Sequence, residues 1–233
     1  MVAQDSGITR EAEHIIDPSA MGKKQIGLEG QPEAGADGKI VPLENYGVRT
    51  MSLGFFVNAD TPVIWRGPMV GKLIEQFVND VNWGQLDFLL IDLPPGTGDA
   101  QLSLSQVLPL DGAIIVSTPQ KVALEDAMKG LLMFRKVNVP IAGVIENMSY
   151  FVCPHCGDRT EIFGHGGARE AAEELGLEFL GELPLDTATR QAADDGQPIV
   201  VSAPESAQTA AFMEVAKQVA ARCSVLEYAT AGA

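Results

Sequence analysis

The chain has 233 residues, of which 46% are hydrophobic and 20% charged, and it carries a formal net charge of −15. With a mean hydropathy of +0.10 and a pI near 4.5, this composition excludes a disordered chain and argues against nucleic acid or an anionic membrane as a bulk partner, because both repel an acidic surface. No run approaches the roughly 18 apolar residues that span a bilayer. The opening MVAQDSGITREAEH lacks a basic start followed by an apolar segment, so the expectation is a soluble cytoplasmic protein built as one large domain.

Residues 1–27 show no clear period and mix charge with Gly and Ser, so they receive no fold; the following LEGQPEAGADG reads as loop. From residue 48 to residue 222, strand-like and helical patterns alternate, the signature of an α/β domain with a mostly parallel sheet flanked by helices. The predicted strands are 48–53, 88–92, 113–117, 141–146 and 179–183, each a short apolar run closed by Gly, Pro or polar residues. Val70, Leu73, Ile74, Phe77 and Val78 recur at helical spacing behind Gly67-Pro68. Leu124, Ala127, Met128, Leu131 and Leu132 form a second stripe and Phe212, Val215, Ala216 and Val219 a third, all read as core-facing. Cys223 reads as a small buried hydrophobe, and residues 223–233 as a tail that ends in a frayed EYATAGA.

Two segments carry chemistry. Asp87-Phe-Leu-Leu-Ile-Asp92-Leu-Pro-Pro-Gly96-Thr97-Gly98-Asp99 is an apolar strand that ends in an aspartate and spills into a Gly/Pro loop. Ligands of α/β sheets sit beyond the carboxyl ends of strands. Asp92 is therefore a candidate to hold Mg²⁺ through water, and the glycines let backbone N–H groups approach a γ-phosphate. The same string also fits a strand-to-helix turn in which Asp99 caps the helix DAQLSLSQVL. In Cys153-Pro-His-Cys156 the spacing lets both sulfurs bind one metal centre. Three cysteines with one close pair make no disulfide framework and fit reduced thiols. From C-x-x-C alone zinc is the first reading, completed by two more cysteines across a dimer or by His155 or His165. A redox dithiol is the last, since the pair does not open a helix after a strand.

The string DLPPGTGDAQL is joined by Val63-Ile-Trp65-Arg66-Gly-Pro-Met-Val, Ser117-Thr-Pro-Gln-Lys-Val-Ala-Leu-Glu-Asp-Ala, Glu146-Asn147-Met-Ser and Ile162-Phe-Gly-His-Gly-Gly167. Together these runs resemble the Mrp-type iron–sulfur cluster carrier ATPases of the MinD/ParA-like P-loop superfamily, over about residues 28–215. The resemblance implies a P-loop-NTPase-like domain over 28–222, with a cysteine loop at 150–163. By it, Asp92 is the Walker B aspartate, Gly96, Thr97 and Gly98 belong to the switch, Asn147 reads the adenine, and Pro184 and Asp186 lie in the loop that closes over the base. It further implies ATP and Mg²⁺ as cofactors and a homodimer in which Cys153 and Cys156 of both subunits bridge one [4Fe–4S] cluster, passed on to apo iron–sulfur proteins. With the resemblance included, iron–sulfur goes ahead of zinc. Asn147 as a turn former and Pro184-Leu-Asp186 as a helix cap stand beside these roles.

The family's Gly-Lys-Gly-Gly-Val-Gly-Lys-Ser/Thr loop has no match. Met21-Gly-Lys-Lys24 lacks the glycine spacing and the terminal hydroxyl, and Ile15-Ile-Asp-Pro-Ser19 only faintly echoes the family's second acidic switch. The expectation is an N-terminally truncated domain with unpaired strand edges. ATP hydrolysis should be poor or absent, because the phosphates lose backbone donors and a lysine, and Mg²⁺ loses a hydroxyl ligand. The alternative reading is a non-catalytic iron–sulfur or zinc-binding protein. A positioning ATPase of the MinD or ParA kind would leave Cys153 and Cys156 unexplained and would want a basic surface or amphipathic tail.

Overall fold

The computed structural model describes residues 13–17, 26–56, 67–93, 102, 104–106 and 108–231. Where the sequence reads as one domain, the chain divides into two compact units, Met1–Val107 with Thr189–Ser202 and Leu108–Ala188 with Ala203–Ala233.

The first unit contains β1 (Glu13–Asp17), β2 (Glu33–Ala34), β3 (Ile40–Val41), β4 (Leu43–Asn45), β5 (Val48–Ser52), α1 (Gly67–Asn79) and β6 (Phe88–Ile91). Its main sheet runs β4-β5-β1-β6. β4 and β5 are antiparallel, joined by Tyr46-Gly47 with φ of 53° and 76°. Positive φ at both turn residues gives the twist a tight hairpin needs, and Gly47 adopts it without strain. β1 pairs in parallel with both neighbours, placing Ile15 opposite Thr50 and Leu90. The stretch 1–27, left without a fold by its sequence, thus contributes an interior strand of this sheet.

Met51 on β5 is buried with Phe77 of α1, Val81 and Trp83, and Leu73, Val78, Leu89 and Ile91 pack around them. Leu73, Phe77 and Val78 of the helical stripe read from the sequence therefore face the sheet. The Trp83 indole N–H donates to the Phe77 carbonyl at 2.8 Å, and the Arg49 guanidinium donates to the Trp83 carbonyl. The predicted strand 48–53 stops at Ser52, where Leu53–Phe55 turns into a 3-10 helix. The strand 88–92 stops at Ile91, leaving Asp92 just beyond its carboxyl end.

The second unit contains β7 (Ala113–Ser117), α2 (Lys121–Lys136), β8 (Ile141–Glu146), β9 (Phe151–Val152), β10 (Arg159–Thr160), α3 (Gly167–Glu174) and β11 (Phe179–Glu182). α4 (Thr187–Asp194) leaves this unit and α5 (Ile199–Ser202) lies in the first, while α6 (Ala207–Ala231) closes the second. The sheet β11-β8-β7 is parallel throughout. All six residues of central β8 are buried, as an apolar strand covered on both faces should be. Ile145, Leu180 and Leu183 meet Val215 and Val219 of α6, with Phe212 and Cys223 packed alongside. α6 continues to Ala231, so the expected frayed tail is helix over most of its length. Burial, with Asp111 adding to it, pushes the Cys223 thiol up, which suits a packing residue.

In α2, Leu131 and Phe134 point into the core, whereas Leu132, read as core-facing, is 59% exposed. It lies one residue on from Leu131, about 100° further round the helix. Among the described strands, β6 and β7 each hydrogen-bond to one neighbour, at the edges of their own sheets. Val116 on β7 remains 54% exposed.

Gly143 lets β11 approach β8. A Cβ there would sit 2.6 Å from Leu180 Cγ and 2.7 Å from the Glu178 carbonyl oxygen. Gly143→Ala is therefore expected to destabilise the chain by about 1–3 kcal/mol. Gly130→Ala in α2, where a Cβ meets nothing within 4 Å, should stabilise by up to about 1 kcal/mol. Denaturant titration of the two variants checks the opposite signs.

Candidate functional site

The cysteine pair sits in the turn of a small hairpin. β9 and β10 pair antiparallel, with Arg159 opposite Val152 and Thr160 opposite Phe151. The turn between them is closed by Cys153 N–H to the Asp158 carbonyl and Gly157 N–H to the Cys153 carbonyl, both 2.9 Å. Cys153 is half-buried and Cys156 exposed, and neither is in a disulfide. The Cys156 thiol donates to Asp158 Oδ2 at 3.2 Å. The backbone N–H of Cys156, then that of His155, then the Cys156 thiol hold the Cys153 thiol below its ordinary pKa, against the smaller opposing effect of burial. Amides aimed at a sulfur favour the thiolate, which is the form that ligates metal.

Below this hairpin lies a buried carboxylate. Glu146, the last residue of β8, is fully buried. Its Oε1 accepts from Ser149 Oγ at 2.5 Å and from Gly166 N–H at 2.9 Å, and its Oε2 accepts from Ala168 N–H at 2.8 Å. The last two donors belong to the N-terminus of α3, where amides lack helical partners and the helix dipole favours a negative charge. Burial pushes the Glu146 carboxyl up. The Ser149 hydroxyl, the two amides and His165 outweigh it together and hold the group below the usual carboxylate range.

The candidate nucleotide residues of this unit gather at the carboxyl edge of β11-β8-β7. Asn147 follows β8; its N–H donates to the Ser117 carbonyl at 2.7 Å, and its Oδ1 accepts from Met148 N–H at 2.9 Å. It shapes the turn in which Met148 takes a φ of 54°. Pro184 and Asp186 follow β11, and Asp186 immediately precedes α4. Leu185, between them, donates its N–H to the Tyr150 carbonyl at 2.7 Å, which joins this segment to the base of the cysteine hairpin. Asp92 lies in the first unit, exposed beyond β6. Gly96, Thr97 and Gly98 lie outside the described residues.

A family model described as ParA, the NUBPL iron-transfer P-loop NTPases, matches residues 15–220. The chain belongs to this family. Among its relatives, the iron–sulfur cluster transfer protein NUBPL of Mus musculus is 51% identical over 199 residues, covering 85% of this chain and 62% of that protein. A nucleotide-binding protein of Archaeoglobus fulgidus, solved in complex with ADP, is 34% identical with a TM-score of 0.70, covering 85% of this chain and 78% of that one. MinD of Pyrococcus horikoshii, 21% identical with a TM-score of 0.63 over 90% of this chain and 83% of that one, shares the fold. The chain spans 58% to 62% of the length of the first curated relatives it matches. No described helix is long and apolar enough to cross a membrane.

Within the family's fold, the sequence had singled out the cysteine pair and the strand ends but not Glu146, Ser149, His165 and Glu182 as a connected group. The available signal was a charged residue closing an otherwise apolar strand, Ile-Ala-Gly-Val-Ile-Glu. A carboxylate whose folded pKa is lowered adds stability above its unfolded pKa of about 4.3, and that stability is lost as pH falls through the folded value. Glu146→Ala orphans two amides as well, so it is expected to cost about 3 kcal/mol or more at pH 7. Its stability should also fall less steeply than wild type on acidification below pH 4, as read by denaturant titration across that range.

Proposed function

We propose that the chain binds an iron–sulfur cluster as cargo at Cys153 and Cys156 and delivers it to apo-proteins. The observation that carries this reading is the cysteine turn itself, two thiols at C-x-x-C spacing with backbone amides favouring the Cys153 thiolate. Two thiolates are half of the set that a [4Fe–4S] cluster takes. A second copy related by a two-fold axis supplies the other half, which makes the carrier a homodimer. Relatives about half identical to this chain are named iron–sulfur cluster transfer or carrier proteins, which supports the same cargo. Reduced, accessible thiols suit work in the cytoplasm.

On the nucleotide side, Asp92 would hold Mg²⁺, and Gly96, Thr97 and Gly98 would face the phosphates of ATP. Asn147, Pro184 and Asp186 would surround the base, at the carboxyl ends of parallel strands where such ligands bind. The ADP complex of the Archaeoglobus relative supports nucleotide binding. One observation favours a second reading, metal binding without ATP turnover: the 233 residues contain no Gly-Lys-Gly-Gly-Val-Gly-Lys loop.

Anaerobic reconstitution with ferrous iron and sulfide tests the cargo. Wild type is expected to gain visible thiolate-to-iron absorbance, with Cys153→Ser and Cys156→Ser each losing most of it and Cys223→Ser retaining it. Equal uptake by all four proteins, or uptake of zinc alone, would sink the iron–sulfur reading. In a phosphate-release assay the 233-residue chain should show no Mg²⁺-dependent ATP turnover above background. Turnover abolished by Asp92→Ala would instead restore the ATP-dependent carrier.

A further inference from the structure

Both ends of the cysteine hairpin are fastened to one short stretch, residues 182–185. At the near end, Ser149 N–H donates to the Leu183 carbonyl at 3.0 Å, Leu185 N–H donates to the Tyr150 carbonyl at 2.7 Å, and Phe151 forms a parallel bridge with Leu185. At the far end the fastening of Arg159 and His165 is the Glu182 side chain, beside the Gly166 and Ala168 amides that Glu146 holds. Glu182 Oε1 lies 3.5 Å from Arg159 Nη2, and Glu182 Oε2 lies 2.8 Å from His165 Nε2 and 3.4 Å from Ser149 Oγ. Arg159 stands three residues past Cys156, and its guanidinium is stacked 3.8 Å from the centre of the Tyr150 ring. Glu161 approaches the other nitrogen of His165 at 3.8 Å.

We infer that Glu182 is a positioning residue for the Cys153/Cys156 site: by holding Arg159 and His165 it fixes the far side of the hairpin to the strand end that leads into Pro184–Asp186. The inference rests on the cargo reading of the cysteine pair. It does not require a new metal site, although ligand atoms of Glu146, His165 and Glu182 all lie within 4.8 Å of one another. Glu146 already accepts from Ser149, Gly166 and Ala168, and Arg159 offers Glu182 a positive charge, so hydrogen bonds and an ion pair account for the grouping. Through backbone and side chain together, residues 182–185 hold the hairpin as a clamp holds both arms of a loop. A displacement of the Pro184–Asp186 segment would then reach the thiols through packed, hydrogen-bonded chain rather than through solvent.

The test uses the full chain carrying Glu182→Gln, Arg159→Gln or both, with thermal melting as the check on folding. Amide hydrogen exchange across residues 150–163 of the metal-free protein should rise about fivefold in each single variant, the scale of a partly exposed ion pair. The double variant should exchange no faster than the faster single one, because the two side chains act as a pair. β7 and β8 should keep wild-type protection. After reconstitution with iron and sulfide, the variants should lose iron to a ferrous chelator several-fold faster than wild type. Unchanged exchange over 150–163, additive single effects, or a rise spread equally over β8 would overturn the inference. If wild type takes up no iron and sulfide, the cargo reading fails while the exchange data still decide whether Glu182 tethers the hairpin. Zinc binding by Cys153→Ser/Cys156→Ser that disappears with His165→Ala would replace the tether with a metal site and overturn the inference as well.

Discussion

The carboxyl edge of the second unit depends on the buried charge of Glu146. An ionised carboxylate removed from water costs several kcal/mol unless donors surround it. Here the donors come from Ser149 and from Gly166 and Ala168 at the start of α3. To satisfy one side chain, the chain must bring back the stretch beyond the cysteine hairpin and place the mouth of a helix against the end of β8. Asn147 is the next residue and Tyr150 opens the hairpin, so the positions of Asn147 and of the cysteine turn within this unit follow from that requirement.

The hairpin uses a different device for its own charge. Backbone amides of His155 and Cys156, not a lysine or arginine, favour the Cys153 thiolate. Such donors are fixed by the turn, and Cys153 stays only half-buried among them. On a chain of net charge −15, that arrangement stabilises a thiolate without building a permanent cationic pocket around it. Under the proposed cargo reading, ligands poised in this way suit a group that must be given up again.

What could be read from the sequence, and what could not, follows the range of the forces involved. Ile141–Glu146 was legible because burial on both faces imposes an apolar run that shows locally, and Phe88–Ile91 was legible from the same kind of run although none of its residues is fully buried. Cys153 and Cys156 were legible because metal ligation imposes a spacing. β1 was not, since Glu-His-Ile-Ile-Asp is short and mostly polar, and its strand character comes from lying between β5 and β6. Nor was the Glu146 group, whose members are spread over residues 146–182 and are brought together by the return of α3 to the end of β8 and the pairing of β11 with β8. Leu132 misled for a related reason: the helical period places it beside the buried face, and only the packing of Leu131 and Phe134 sets where that face ends.

The division into two units also bears on how far the cargo reading depends on ATP. Every contact described here for the cysteine hairpin comes from residues 146–186, inside the unit formed by Leu108–Ala188 and Ala203–Ala233. That unit has its own core of Ile145, Leu180, Leu183, Val215 and Val219. Asp92 and the segment after it belong to the other unit. Among the described residues, presentation of the two thiols draws on packing and hydrogen bonding within that unit, whereas the candidate magnesium-side aspartate lies in the other. The backbone donors that favour the Cys153 thiolate thus call on neither Asp92 nor the segment after it.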